Sequence, residues 1–81
     1  MKTIKFYHSF ICPRCRLSGL WLSQLLSEFP EIKLEKIEFL TNRERARSDG
    51  VRGIPTLLSD EKKLGGFLLT KKRIRLFLES L

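Results

Sequence analysis

The chain has 81 residues, a length that favours one domain near the lower limit for a protein that folds around its own core. Hydrophobic residues make up 42% of the sequence and charged residues 31%, a balance that argues against disorder. The formal net charge of +7 indicates a solvated basic surface and acidic partners. Nucleic-acid binding is not indicated, because charge without a docking motif is weak evidence for it.

The sequence gives no sign of a membrane or export segment. No apolar run approaches the roughly 20 residues that a membrane helix needs. The segment MKTIKFYHSF lacks the apolar core of a signal peptide. We therefore expect a soluble, cytoplasmic monomer that does not interact with membranes.

The first half of the chain predicts a strand, a helix and a second strand. Residues 2–7 alternate apolar and polar side chains and are rich in strand formers. Apolar residues then follow helical spacing from Pro13, which suits a first helical position, until Pro30 ends the helix. Residues 31–40 alternate again, with a shift at Ile37 that indicates a bulge or a sheet edge. This unit is expected to form a right-handed parallel crossover.

The second half predicts a short helix, two short strands and a last helix. Residues 41–42 offer two competent N-caps for a mostly polar helix that ends at Gly50. Residues 53–58 predict a brief strand, and residues 63–64 predict its partner after a turn. Thr70 can cap the last helix. The apolar stripe of that helix consists of Ile74, Phe77, Leu78 and Leu81. The order predicts a single α/β domain, residues 1–81, with a sheet of about four strands and helices on both faces.

Both cysteines lie in the segment Cys12-Pro13-Arg14-Cys15, between the first strand and the first helix. A loop this small restrains little unfolded-chain entropy, so the pair makes a poor structural disulfide. A helix N-terminus stabilises a thiolate, so we expect Cys12 to be exposed and activated, with Arg14 and Arg16 adding favourable positive charge. Cys15 lies about one turn further on, close enough to attack a mixed disulfide at Cys12. The pattern indicates a redox-active pair.

Two alternatives to a redox pair remain open at this stage. A zinc site normally needs four ligands, and Cys12, Cys15 and His8 would require an outside ligand or a second copy of the chain. We interpret His8 as a loop residue near the site rather than as a ligand or a base, and we expect no bound metal. The other alternative is a binding module in which the cysteines are idle or regulatory.

The chain resembles the thioredoxin superfamily in two separate motifs. The first is CPRC after the strand KTIKFY, and the second is RARSDGVRGIPTLL further along the chain. The segment VRGIPTLL is similar to the thioredoxin segment that carries a cis-proline beside the active site. The length and element order resemble the small glutaredoxin-like or thioredoxin-like proteins. The resemblance implies a thioredoxin-like fold (βαβαββα) and a protein disulfide reductase or glutaredoxin-like activity in electron transport.

By this resemblance, Cys12 is the attacking nucleophile and Cys15 is the resolving thiol. The Ile54–Pro55 peptide bond is expected to be cis, with Pro55 against the cysteine pair. The backbone of Ile54 is expected to pair with a bound peptide or glutathione, as a strand edge would. The resemblance implies a disulfide-containing client protein as partner and no resident cofactor. Glutathione or a thioredoxin-reductase-type enzyme would then reduce the pair.

The resemblance also assigns Pro13 and Arg14, the dipeptide between the cysteines, to the substrate-binding surface. This Pro-Arg pair is neither the Gly-Pro of thioredoxins nor the Pro-Tyr of glutaredoxins. Ile11 and Phe6 stand where thioredoxins carry a Trp and a buried Asp, and Ser9 stands where glutaredoxins usually have Lys. The segment GGFLLT lacks the Asp that holds the amino end of glutathione in glutaredoxins. The resemblance therefore implies the reaction type but neither the reductant nor the client.

Overall fold

The computed structural model describes residues 2–60 and 62–81, and its elements follow the predicted order. They are β1 (Lys2–His8), α1 (Pro13–Leu26), β2 (Ile32–Glu38), α2 (Arg43–Ser48), β3 (Thr56–Leu58), β4 (Lys63–Gly65) and α3 (Lys71–Glu79). The prediction of an α/β chain with this arrangement is confirmed.

In the part of the chain that the structure describes, the strands form a four-stranded mixed sheet in the order β2-β1-β3-β4. Strand β1 pairs in parallel with β2 and antiparallel with β3, and β3 pairs antiparallel with β4. The parallel pair runs without interruption from Lys2 opposite Ile32 to His8 opposite Glu38. The shift in the pattern of β2 is therefore not a bulge, and β2 lies at one edge of the sheet.

Helices cover both faces of the sheet, as the sequence predicts. On one face, Ile4 and Phe6 of β1 belong to a buried cluster with residues of α1 and α3. On the other face, Tyr7 packs with Ile37 of β2 and with Ala46 of α2. Because β2 contributes to both clusters, its apolar residues change face along the strand, which explains the altered alternation.

Three predicted boundaries are wrong, each because of a local turn. Helix α1 ends at Leu26 and does not reach Pro30, because Phe29 donates a turn-type hydrogen bond to the Leu26 carbonyl at 3.0 Å. Strand β2 ends before Leu40, whose N–H donates to a carboxylate oxygen of Glu38 at 2.6 Å. The strand predicted over residues 53–58 is confined to Thr56–Leu58, because residues 53–55 form a bend before it.

The ends of the two later helices partly follow prediction. The Thr70 hydroxyl caps α3 by accepting the Arg73 N–H at 3.3 Å, as expected. Asn42 occupies the N-cap position of α2, but its side-chain amide donates to the Glu38 carbonyl at 2.8 Å instead of capping the helix. Gly50 follows α2 with a positive φ of 75°, which allows the chain to leave the helix sharply.

Candidate active site

Cys12 forms the N-cap of α1, directly after the loop that leaves β1. Its extended backbone places the sulfur over the helix end, where Sγ accepts the N–H of Cys15 at 3.2 Å. The Cys12 N–H donates to the Ser9 carbonyl at 3.1 Å, which closes the loop before the helix. Pro13 is the first residue of α1, as predicted, and has no N–H that would be left unpaired there. The sulfur therefore lies where the N–H groups and dipole of the helix favour negative charge.

The expectation that Cys12 is exposed is wrong. Cys12 is 8% exposed and Cys15 is 2% exposed, and both are free thiols. The Cys12 sulfur turns inward to accept the Cys15 N–H, and the loop before it carries Phe10 and Ile11 outward into solvent. Cys12 is therefore recessed, directly after two protruding apolar side chains.

The environment of the Cys15 thiol disfavours its ionisation. Burial raises the pKa of the Cys15 thiol above its ordinary value, and a hydrogen bond with the Cys12 side chain raises it further. The backbone of Ser9 and the guanidinium of Arg14 act in the opposite direction and lower it, without reversing the shift. Cys15 is therefore a protonated thiol at neutral pH, hydrogen-bonded to Cys12.

Arg14 contacts the loop between β4 and α3. Its guanidinium donates to the Phe67 carbonyl at 2.6 Å and lies 4.2 Å from the centroid of the Phe67 ring. The side chain of Phe67 is 79% exposed, so this cation–π pair lies on the surface. The sequence analysis did not single out Phe67. The sequence feature that could have indicated Phe67 is its position as an aromatic residue directly after the glycine pair Gly65-Gly66.

The Ile54–Pro55 peptide bond is cis, which confirms the prediction, and Pro55 is fully buried. Ile54 lines a groove of about 330 Å³ together with Arg14, Gly66 and Phe67. The structure thus brings two predicted binding residues, Ile54 and Arg14, to one groove beside the start of α1. Pro13 lies exposed at the first turn of α1.

A second groove, of about 570 Å³, opens where the N-terminal half of α1 crosses the end of β1. Cys15 lines it together with His8, Arg16 and Lys36. His8 is the last residue of β1 and not part of the loop, and its ring stacks on Phe6 with centroids 5.5 Å apart and planes 16° apart. Burial lowers the pKa of His8, the charge of Lys36 lowers it further, and Glu38 opposes both.

Two negative findings concern the residues that the structure describes. Within residues 2–60 and 62–81, no group of three or more His, Cys, Asp or Glu side chains is arranged to hold a metal ion. None of the helices in this part of the chain combines the length and apolar character needed to cross a membrane.

Comparison with known proteins identifies the fold. No protein-family model and no curated protein matches the sequence. Among solved structures, reduced desulfothioredoxin from Desulfovibrio vulgaris Hildenborough matches with a TM-score of 0.83 and 19% identity, over 99% of this chain and 81% of that one. Oxidized mitochondrial thioredoxin 3 from Saccharomyces cerevisiae matches with a TM-score of 0.82 and 17% identity, over 99% of this chain and 78% of that one. A mutant thioredoxin from Halobacterium salinarum NRC-1 matches with a TM-score of 0.79 and 24% identity, over 98% of this chain and 73% of that one.

These similarities show that the chain has the thioredoxin fold. Within that fold, Cys12 and Cys15 lie at the start of the first helix, and the cis Ile54–Pro55 bond precedes β3.

Proposed function

We propose that the protein is a thiol–disulfide oxidoreductase that acts on a disulfide of a client protein. The observation that carries the proposal is the position of the Cys12 sulfur at the N-cap of α1, where it accepts the Cys15 N–H at 3.2 Å. Helix N-termini favour thiolates, and only the thiolate attacks a disulfide. The raised pKa of Cys15 complements this, because it keeps the second sulfur protonated until the resolving step.

The reaction proceeds in two exchanges. The Cys12 thiolate attacks one sulfur of the client disulfide and forms a mixed disulfide, and the other client sulfur leaves as a thiolate. Cys15 then loses its proton, and its sulfur attacks Cys12 Sγ. The Cys12–Cys15 disulfide forms, the second client thiol is released, and two electrons have passed to the client.

The groove beside Ile54 is the proposed client site. An extended client segment would pair with the Ile54 backbone, in the manner of a strand added to an edge. The exposed ring of Phe67 offers an apolar contact, and Arg14, stacked on that ring, offers a positive charge. Phe10 and Ile11 border the recessed sulfur on the other side and would contact the residues that flank the client disulfide.

Reduction of the Cys12–Cys15 disulfide requires an external donor, and we propose glutathione or a thioredoxin-reductase-type enzyme in a cytoplasmic setting. The two donors differ in a measurable way, because glutathione passes through a mixed disulfide with Cys12. Glutathione with glutathione reductase, and separately a thioredoxin reductase with NADPH, would be offered to the oxidised protein. Recovery of free thiols in one system and not in the other identifies the donor.

The proposal is tested with the wild-type chain and two cysteine variants in a disulfide-reduction assay driven by dithiothreitol. We expect Cys12→Ser to lose all activity above the uncatalysed rate. Incubated with the client disulfide in the absence of dithiothreitol, Cys15→Ser should instead accumulate a covalent client adduct on Cys12, which mass spectrometry of the intact protein detects. Disulfide-reductase activity that survives in Cys12→Ser would refute the proposed function.

A further inference from the structure

The resolving step of the proposed function needs a proton acceptor. The Cys15 thiol is buried, and burial together with its hydrogen bond to Cys12 raises its pKa well above neutral. Few Cys15 side chains would therefore ionise unaided at pH 7, although the sulfur must be a thiolate to attack Cys12 Sγ. A neighbouring base that takes the proton during the attack would remove this barrier.

The groove that opens on Cys15 contains one side chain suited to that role. Among the described residues that line it, the titratable groups besides Cys15 are His8, Arg16 and Lys36. The guanidinium and the ammonium are cations at neutral pH and have no lone pair to accept a proton. An imidazole does have one when it is neutral.

Glu38 is the other basic group near His8, and its position makes it a weaker candidate. It lies opposite His8 in the β1–β2 register but is not among the residues that line the groove. One of its carboxylate oxygens accepts the Phe10 N–H at 3.1 Å, and the other accepts the Leu40 N–H at 2.6 Å. These two hydrogen bonds hold its carboxylate against the backbone of two loops, outside the groove that opens on Cys15.

We propose that His8 accepts the proton of Cys15 in the resolving step, either directly or through one water molecule in the groove between them. Stacking on Phe6, with centroids 5.5 Å apart, fixes the plane of the imidazole at the end of β1. The groove has a volume of about 570 Å³, many times the share of about 30 Å³ that one water molecule takes in the liquid.

The charges around His8 keep the imidazole ready to accept a proton. Burial lowers its pKa below the ordinary value of 6.5, so the ring is neutral at pH 7. From β2, Glu38 favours the protonated form and Lys36 disfavours it. From α1, Arg16 brings a further positive charge to the same groove, which also disfavours an imidazolium.

The step balances in atoms and electrons. The proton of the Cys15 thiol moves to an imidazole nitrogen while Cys15 Sγ attacks Cys12 Sγ. The bond between Cys12 and the client breaks, the Cys12–Cys15 bond forms, and the client sulfur leaves with the electron pair. The imidazolium then returns the proton to the departing thiolate or to solvent.

The test separates the two exchanges with a client made of two short peptides joined by a disulfide, each carrying a different fluorophore. Release of the first peptide reports attack by Cys12, and release of the second reports resolution by Cys15. In the wild type, the second release should rise as pH increases through the pKa of His8 and should be level above pH 7. In His8→Gln, the rate of the first release should stay within about twofold of the wild-type rate. The rate of the second should fall about a hundredfold at pH 8, since general bases typically accelerate a step by 10²–10⁴.

Two further variants give the control and the rescue. Ser23→Ala changes the same groove without removing a base or a charge, and it should resolve at nearly the wild-type rate at pH 8. His8→Ala should recover part of its second release when free imidazole is added, which a merely structural role of His8 would not produce.

The outcomes distinguish this inference from the function on which it rests. If the first release fails in the wild type, the proposed function itself is wrong. If both releases occur and the second is unchanged in His8→Gln, or equally slow in Ser23→Ala, His8 is not the acceptor although the oxidoreductase assignment stands.

Discussion

Replacing Tyr7 by Phe is expected to destabilise the protein through a single hydrogen bond. The Tyr7 hydroxyl donates to Asp49 Oδ2 at 2.6 Å, and Lys5 Nζ lies 3.2 Å from the same oxygen. Asp49 ends α2, and from there the chain continues through Gly50 to the cis bond at Pro55. The bond therefore ties the segment that carries Pro55 to the central strand of the sheet.

The magnitude follows from what the variant keeps and loses. Phenylalanine retains the buried ring, so the packing with Ile37 and Ala46 is preserved. The variant loses a hydrogen bond to a charged group, typically worth about 1.5–3 kcal/mol. Asp49 keeps Lys5 and partial contact with water, so we expect a loss at the lower end, about 1.5–2 kcal/mol. For a domain of this size, that lowers Tm by about 6–16 °C.

The measurement is urea unfolding followed by the fluorescence of Trp21, the single tryptophan, which packs against the larger core cluster. Asp49→Asn provides the matched background. In Asp49→Asn the acceptor is neutral. Tyr7→Phe should therefore lower the free energy of unfolding by less in that background than in the wild type.

The pH dependence of the Tyr7→Phe effect has a defined sign. The hydrogen bond from Tyr7 lowers the pKa of Asp49, and Lys5 lowers it further. The stabilising contribution of the hydrogen bond is therefore present above the pKa of Asp49 in the unfolded chain, about 3.9. It is lost as pH falls through the lower pKa of Asp49 in the folded protein. Burial and the same bond raise the pKa of Tyr7 to about 12, so the contribution also declines as pH rises from about 10 to that value. The reasoning would be refuted if the free energies of unfolding of the wild type and Tyr7→Phe differed by less than about 0.5 kcal/mol at pH 7. It would also be refuted if that difference did not shrink on acidification.

Three further changes are expected to have distinct effects. Ile74→Ala leaves a cavity in the fully buried face of α3 and should cost about 2–5 kcal/mol in urea unfolding; a loss below about 1 kcal/mol would contradict the packing. Thr70→Ala removes the cap on the Arg73 N–H and should cost about 1 kcal/mol by the same method, whereas Thr70→Ser should retain most of it. Arg14→Lys keeps the charge but loses the planar contact with Phe67, so steady-state kinetics should show a higher KM for the client with little change in kcat. A lower kcat with an unchanged KM would contradict a binding role for Arg14.

The features that could be predicted from the sequence depend on local signals. The start of α1 at Pro13, the cap at Thr70 and the cis bond at Pro55 are each encoded within a few residues, either by chain geometry or by a motif. The order of elements follows from alternation of hydrophobic residues, which reports burial directly. The shift at Ile37 could be explained only once both faces of the sheet were known to be covered, because the apolar residues of β2 change face along the strand.

The features that the sequence could not provide depend on contacts between distant residues. Arg14 reaches the carbonyl of Phe67, 53 positions away, and Tyr7 reaches Asp49, 42 positions away. The position of Cys12 at the start of α1 is local, but its burial depends on the packing of the folded chain, which the sequence does not specify. His8 lies in β1 and not in the predicted loop, because pairing with Glu38 of β2 extends the strand, and the sequence alone does not specify that contact.

The reduction potential of the Cys12–Cys15 pair, measured in glutathione buffers with the products followed by mass spectrometry, tests the central claim most directly. We predict a reversible two-electron couple between about −200 and −270 mV, in the range of working thiol–disulfide enzymes. Failure to form a reversible disulfide, or a potential below about −300 mV as in structural disulfides, would contradict it.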